Sequence, residues 1–380
     1  MSGDHAAATD ILRPPRSGAA PPDVGGRGDL DLPPVRVRRA GMCFAALAVT
    51  AAALFCGALA LGSVSIPLAE VVTILLGGEP TTASWATIVR DLRLPRSITA
   101  VLAGAGLSVS GLQLQTLFRN PLADPFVLGI SSGASLGVAL VSLSVGGTIF
   151  IGTMGRGSSL STAAAAAVGA AAVLGIVLMF ARRVRSISSV LIIGLMTGYL
   201  ATSIVSLMLF FSDEDDFRGF LAWSLGSFRG TTWSELQVLL PVAAIGVVLA
   251  TITVKGLNAM LLGERYAESV GVAVGRLRAL IILSSSLLAG VITAFTGPVA
   301  FLGLAVPHLC RSLFVTSDHR VLLPAVVLMG ACVALMTEII SGLPGTDLTL
   351  PVNAVTPILG APVVIIVLLR LRQSPEVALS

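Results

Sequence analysis

The chain has 380 residues, of which 55% are hydrophobic and only 12% are charged, and its mean hydropathy is +0.94. These values exclude a soluble globular domain of this length. The charged residues collect in short clusters between apolar runs of about 17 to 26 residues, the pattern of helices that cross a membrane repeatedly. The sequence lacks the alternation of a transmembrane β-barrel, so the predicted fold class is all-α and polytopic.

The four cysteines and the basic charge do not indicate a metal or nucleic-acid site. The cysteines lie in or beside apolar runs without metal-ligand spacing, and we expect them to be packing residues. The net charge of +4 comes from loop arginines, which orient a membrane protein more often than they bind nucleic acid. The sequence therefore predicts no cofactor, no metal and no catalytic residue.

The apolar runs divide the chain into two tails and a membrane domain. Residues 1–39 are rich in Pro, Gly, Ala and Arg and predict a disordered tail, and residues 373–380 predict a short one. The run 41–62 is preceded by too long a tail for a signal peptide, so we interpret it as an uncleaved first helix of a domain over 40–372. Ten spans are predicted: Gly41–Gly62, Ser97–Phe118, Pro125–Val145, Ser161–Ala181, Ser186–Phe211, Leu236–Val254, Leu277–Phe295, Pro298–Phe314, Val321–Ile340 and Leu350–Leu369.

The second span is predicted to be the central helix of the bundle. Its 22 uncharged residues would extend roughly 33 Å, which is enough to cross a bilayer. At about 100° per residue, one narrow stripe of it contains Gly104, Ser108, Gly111 and Gln115. Gly106 and Gln113 lie on the opposite side, so polar or small residues face both ways and we expect other helices to enclose it.

The basic residues predict the orientation. With ten spans and a cytoplasmic N-terminus, eighteen Lys and Arg fall inside and six outside, a positive-inside bias that places both termini in the cytoplasm. Half of the external six are Arg90, Arg93 and Arg96. These three indicate a basic landing site for an acidic partner, or contact with lipid headgroups.

Two other polar features have ordinary interpretations. The acidic run 213–216 resembles half of a magnesium-diphosphate site of a membrane prenyl-transfer enzyme, but no second acidic cluster faces it, so we expect a solvated external loop. His308 and His319 have no nucleophile or ligand set nearby in the sequence and are expected to make interface hydrogen bonds.

Six motifs, in order, resemble those of FecCD/BtuC-type permeases, the membrane subunits of type II ABC importers for ferric siderophores, haem or cobalamin. They are RLPR (93–96), RNPLADPFVLGISSGA (119–134), LNAMLLGERYAESVG (257–271), FLGLAVPHLCR (301–311), SDHRVLLP (317–324) and LGAPV (359–363).

The resemblance implies a BtuC-like fold of ten helices in a bacterial cytoplasmic (inner) membrane. It also implies a second permease subunit, identical or related, along whose interface the substrate passes. Two ATPase subunits would bind on the cytoplasmic side and an extracytoplasmic substrate-binding protein outside. Lys255, the only lysine, does not follow a glycine-rich turn, so the chain has no Walker A loop and is not itself an ATPase.

The resemblance also assigns site residues. Arg93 and Arg96 match arginines that receive acidic residues of the binding protein. The family often has a third arginine after the ninth helix, where this chain has Gly342, and Thr349 and Asn353 replace a common Glu and Gly.

On the cytoplasmic side, residues 257–271, within a connection spanning 256–278, resemble paired short helices that insert into a groove of each ATPase. The implied coupling residues are Leu262, Gly263, Glu264, Ala267 and Gly271. The implied gate residues at the cytoplasmic mouth are Asn120, Leu122, Ile187 and Ser188. Pro121 and Pro125 would interrupt helix beside them.

The sequence therefore predicts an ABC importer permease, with a ferric siderophore as first choice of substrate and haem or cobalamin as alternatives. A stand-alone secondary transporter would need membrane-embedded carboxylates for ion coupling. The apolar runs contain essentially only Glu338, near an external end. An integral-membrane enzyme, based on the acidic run alone, is the third alternative.

Overall fold

The computed structural model describes residues 34–143, 159–181, 183–184, 186–346 and 348–372. Within those residues it is helical, with no strand. A π-helix, Ile88–Arg93, joins α3 to α4, and a 3-10 helix, Pro125–Leu128, precedes α5. The described α-helices are α1 (Pro34–Ala60), α2 (Leu68–Leu75), α3 (Ala83–Thr87), α4 (Leu94–Leu117), α5 (Ile130–Ser142), α6 (Ser159–Ala181), α7 (Ile187–Phe210), α8 (Glu214–Ser224), α9 (Trp233–Leu261), α10 (Glu264–Ser269), α11 (Val274–Thr296), α12 (Leu302–Phe314), α13 (His319–Ser341) and α14 (Val352–Arg372).

Each of the ten predicted spans overlaps one of these helices, which confirms the all-α polytopic fold. Seven helical segments of the described chain are long and apolar enough to cross a membrane. The remaining three spans contain shorter apolar stretches, in α5, α12 and α14. At about 1.5 Å per residue, the 13 residues of α5 extend only about 20 Å, which is less than the hydrocarbon thickness of about 30 Å.

The helix α4 is central, as predicted. It packs against α9, α11, α12 and α13. In the 18-residue apolar stretch of this helical segment 83% is buried, compared with 17% in that of α1. On one side, Gly104 lies against the backbone of Gly330 in α13, and Gly111 lies against that of Gly303 in α12. Side chains at these glycines would collide with backbone, so the small residues allow the close helix crossings.

Both glutamines of α4 have partners inside the bundle. The Oε1 atom of Gln113 accepts hydrogen bonds from the hydroxyls of Ser284 and Ser285, at 3.1 and 3.0 Å, and its Nε2 donates to Thr253. On the opposite side, Gln115 accepts a 2.6 Å hydrogen bond from Nη1 of Arg311. Because these side chains bond α4 to α9, α11 and α12, they fix its rotation as well as satisfy buried polar atoms.

The structure differs from the sequence prediction at several helix ends. The helix α1 begins at Pro34, inside the segment predicted as tail, since proline is tolerated in the first turn of a helix. Residues 1–33 and 373–380 lie outside the described residues. The helix α5 begins at Ile130 rather than Pro125, because the 3-10 turn ends at Gly129, whose φ is +75°.

The predicted pair of short helices over 257–271 is wrong in its first half. The helix α9 continues to Leu261, so only α10 is a separate short helix. Leu257 and Met260 are buried and pack with the core. No glycine or proline interrupts the chain between Leu257 and Gly263, which explains why the longer helix persists.

Candidate functional site

The predicted site residues lie toward the two opposite ends of α4. We call the end at its first turn the arginine face, defined by Arg93, Arg96 and Glu338. We call the other end the α10 face, defined by Arg119 and residues 262–271. The 24 residues of α4 separate the two faces by about 36 Å.

At the arginine face, the guanidinium of Arg93 is buried and donates hydrogen bonds to backbone carbonyls of the same chain. It is 5% exposed. Its Nη1 donates to the carbonyls of Leu59 and Ala60, at 2.8 and 2.9 Å, and its Nη2 donates to that of Val64 at 2.5 Å. Arg93 therefore satisfies carbonyls at the end of α1 that no helical N–H reaches. Binding of an acidic partner by Arg93 requires release from these three carbonyls.

Arg96 pairs with the one carboxylate predicted inside an apolar run. Its Nε lies 3.5 Å from Oε1 of Glu338, whose side chain is 7% exposed, whereas that of Arg96 is 22% exposed. The pair joins the first turn of α4 to the last turn of α13. A buried carboxylate needs such a partner, and Arg96 supplies it.

The residues at which this chain departs from the family motif lie beside the same face. Gly342 is buried and caps the end of α13, and Thr349 is exposed. The backbone N–H of Asn353 donates to Leu225, and its side-chain oxygen accepts a 3.3 Å hydrogen bond from the N–H of Ala300. Asn353 therefore fixes two loops to the start of α14.

The acidic run is not a loop, which corrects the sequence prediction. Glu214, Asp215 and Asp216 form the first turn of α8, where the helix dipole favours negative charge. Glu214 also pairs with Arg218, and both are largely exposed. Within the described ranges, no group of three or more His, Cys, Asp or Glu is placed to hold a metal ion.

At the α10 face, two glycines with positive φ lie on either side of the short helix α10. Gly263 has φ of +121° and Gly271 has φ of +87°. Between them, Ala267 is fully buried and faces the core, and Oε1 of Glu264 accepts a 3.2 Å hydrogen bond from Arg278 of α11. The structure thus brings the predicted coupling residues together, with Glu264 and Ala267 holding α10 onto the bundle.

Leu262, one of the predicted coupling residues, lies on this face with two exposed apolar residues that were not singled out in the sequence. Leu262, Tyr266 and Val270 are 69%, 46% and 56% exposed, and we call them the apolar ridge. Tyr266 belongs to α10, and Leu262 and Val270 flank it. The spacing of four residues between them is the sequence pattern from which this exposed apolar set could have been predicted.

The predicted gate residues lie between α4 and the start of α7. The side chain of Asn120 accepts a 2.9 Å hydrogen bond from the N–H of Leu122, which is 46% exposed. The helix α7 begins at Ile187. Ser188 shares a cleft of about 490 Å³ with Arg119, Leu262, Gly263 and Glu264. The structure therefore places one predicted gate residue beside three of the predicted coupling residues.

Two side chains hold the non-helical segment beside the gate. Asp124 accepts a 3.0 Å hydrogen bond from the N–H of Phe126, and burial raises the pKa of its carboxyl to about 6. His308 donates a 2.8 Å hydrogen bond to the carbonyl of Pro121. His319 lies 2.8 Å from the Thr116 hydroxyl. Both histidines make interface hydrogen bonds, as predicted.

Known proteins share this architecture. Residues 49–370 match the FecCD transport family. The chain is 36% identical over 299 residues to the vitamin B12 import system permease protein BtuC of Klebsiella pneumoniae, covering 78% of this chain and 86% of that protein. It is also 36% identical over 289 residues to the uncharacterized ABC transporter permease protein YvrB of Bacillus subtilis strain 168, covering 75% and 80%.

A solved structure is similar as well. It is described as an inward-facing conformation of a metal-chelate type ABC transporter, and it superposes with a TM-score of 0.74 at 27% identity, covering 86% of this chain and 98% of that one. The family match and the two relatives cover most of the chain, and the fold agrees. The chain therefore belongs to the FecCD transport family and is the membrane permease of an ABC importer.

Proposed function

We propose that this chain forms the translocation pathway for a metal chelate, delivered from outside by a substrate-binding protein and moved by two separate ATPase subunits. The observation that carries the proposal is the α10 face, where the short helix α10 is anchored to the bundle and the apolar ridge is exposed. Such a projection suits insertion into a groove of another protein.

The anchoring supports transmission of force. Glu264 is bonded to α11 and Ala267 is packed into the core, so a push on α10 is passed to the bundle. The apolar ridge supplies the surface that an ATPase would bury. Because Ser188 lines the cleft next to Gly263, movement of α10 would reach the gate formed by Asn120, Leu122, Ile187 and Ser188.

The helix α7 supports a second permease subunit. Only 28% of its 18-residue apolar stretch is buried. The helix exposes large side chains that include Met196, Tyr199 and Leu200. It begins at the proposed gate. A pathway between two copies, or between this chain and a close relative, would place α7 along the substrate route, and lipid would cover the remaining apolar surface.

We assign the arginine face to the outside and the α10 face to the cytoplasm of a bacterial inner membrane, with both termini cytoplasmic. The positive-inside bias predicted from the sequence, eighteen basic residues against six, supports this orientation. Arg96 then lies outside, where it would bind an acidic residue of the substrate-binding protein. Arg93 would join it once released from its carbonyl partners.

The substrate is proposed to be a ferric siderophore, on the resemblance of RNPLADP and ISSGA to the iron-importing branch. Cobalamin is the second candidate, because two-thirds or more of this chain aligns with permeases named for vitamin B12 import. Both are large metal chelates and fit the same kind of pathway. Haem remains the third substrate of this family to be tested.

Uptake by the reconstituted complex tests the proposal. The permease, its ATPase and its binding protein are placed in vesicles with labelled ferric siderophore, haem or cobalamin, each in a separate reaction. We expect ATP-dependent uptake of one chelate, and loss of uptake when either partner is omitted. Uptake that persists without the ATPase would contradict the proposal and support a secondary transporter.

A further inference from the structure

A second arginine lies beside the Arg96–Glu338 pair. Arg229 belongs to the loop between α8 and α9, far from both partners in sequence. Glu338 interacts electrostatically with Arg96 and with Arg229, and the two arginines interact with each other. Two helix ends and one loop therefore bring two cations near a single carboxylate.

Glycine at position 342 makes room for this arginine. A methyl group added at Gly342 would lie 3.0 Å from Nη2 of Arg229, so a side chain at 342 would require Arg229 to shift from its observed position. The cation that the family motif often has at 342 is missing here. In its place, the guanidinium of Arg229 occupies the adjacent space.

The cluster is not neutral. Arg96 forms an ion pair with Glu338, whereas Arg229 interacts with that carboxylate only at longer range, which leaves one positive charge in excess. Among the described residues, Nε of Arg229 and Oε2 of Glu338 are buried without a hydrogen-bond partner. Arg229 as a whole is only partly buried. An acidic side chain arriving from outside the chain would neutralise the excess charge.

The loop that carries Arg229 is held in place. Phe228 is fully buried, and the N–H of Ser227 donates a 2.8 Å hydrogen bond to the carbonyl of Thr296. The N–H of Arg229 donates to the Ser227 hydroxyl, and Gly226 accepts from Val352. Because the backbone is ordered in advance, little conformational entropy would be lost when Arg229 binds a partner.

We propose that Arg229, together with Arg96, binds an acidic side chain of the extracytoplasmic substrate-binding protein. This inference rests on the proposed function and names a docking residue that sequence motifs do not assign. Phosphate groups of lipid are the other anions near this face. The partly buried position beside Glu338 favours a single protein carboxylate over mobile headgroups.

The test measures the affinity of the importer's purified binding protein for the permease–ATPase complex in phosphatidylcholine nanodiscs. We expect Arg229→Glu to raise the Kd about tenfold at low salt and less at high salt. Arg229→Gln should raise it about threefold. Arg218→Gln is the matched control, because Arg218 is an exposed arginine of the neighbouring α8 already paired with Glu214. It should stay within about twofold.

A relocation variant tests position rather than charge alone. In Arg229→Ala combined with Gly342→Arg, the new arginine enters the vacated space, and we expect most of the lost affinity to return. Should Arg229→Glu destabilise the complex, Arg229→Gln and the relocation variant carry the test. The affinity of a variant is interpreted only when its thermal stability equals that of the wild type.

The outcomes are distinguishable. Unchanged affinity in Arg229→Glu and Arg229→Gln, with the ATPase still co-purifying, refutes the role of Arg229 but leaves the importer function intact. An effect seen only in nanodiscs that contain phosphatidylglycerol identifies lipid as the ligand and also refutes the inference. If wild type binds neither ATPase nor binding protein, the proposed function fails and the inference fails with it.

Discussion

Replacing Gly111 by alanine should destabilise the bundle, because this glycine forms the closest crossing of α4 and α12. The added methyl would lie 2.5 Å from the carbonyl carbon of Gly303 and 2.6 Å from its Cα, and closer to its oxygen. Carbon atoms normally approach to about 3.5–4.0 Å, so the helices would have to separate by about 1 Å. All three contacts are backbone atoms, so no rotamer change can relieve them.

The magnitude follows from two opposing terms. Overpacking of this kind costs about 1–3 kcal/mol, whereas glycine to alanine within a helix gains up to about 1 kcal/mol. The net loss of about 1–2 kcal/mol should lower the apparent Tm of the purified permease by roughly 1–3 °C, because the shift per kcal/mol decreases with chain length. The shift is measured by heating the purified permease in detergent and monitoring the fraction that remains folded by size-exclusion chromatography.

Gly175→Ala is the matched control. Gly175 lies inside α6, and a methyl group there would meet nothing within 4 Å. Only the helix propensity term remains, so the Tm should be unchanged or slightly higher. A Tm for Gly111→Ala at or above that of Gly175→Ala would refute the close crossing.

Three further predictions concern the α10 face and the segment beside it. Glu264→Gln weakens the ion pair to Arg278 and should lower uptake per ATP hydrolysed by about twofold to fivefold, with Glu268→Gln as control; equal coupling in both would contradict the anchoring role. Leu262→Asp places a charge on the apolar ridge and should abolish co-purification of the ATPase, and full retention would exclude the ridge as its contact. The pKa of Asp124 is raised to about 6, so protein stability should fall as pH rises from about 4 to 6; Asp124→Asn keeps the hydrogen-bond acceptor and should flatten that fall in a thermal unfolding series, while an unchanged slope would show that another group titrates.

The sequence was sufficient to locate the membrane-crossing helices, because the bilayer imposes a length and an apolar composition on each one. Helix ends were harder to predict. The start of α5 depends on a left-handed Gly129 after a 3-10 turn, and the extension of α9 to Leu261 depends on the burial of Leu257 and Met260. Both are decided by tertiary packing, which outweighs local propensity.

Site residues were predicted by position but not by their contacts. The motif RLPR identified Arg93, yet its partners Leu59, Ala60 and Val64 lie about thirty residues earlier in the chain. The proximity of Arg229 to Gly342 joins residues more than one hundred positions apart, and no local pattern encodes it. Side-chain partners across a helical bundle follow from the fold, so they became visible only in the structure.

The central claim is that this chain conducts a metal chelate passively and is driven by a separate ATPase. Vesicles containing the purified permease alone, compared with vesicles containing the complete complex, test it most directly. We expect labelled chelate to enter only the complete vesicles, and only when ATP and the binding protein are present. Entry into vesicles of the permease alone, driven by a proton or sodium gradient, would contradict the claim.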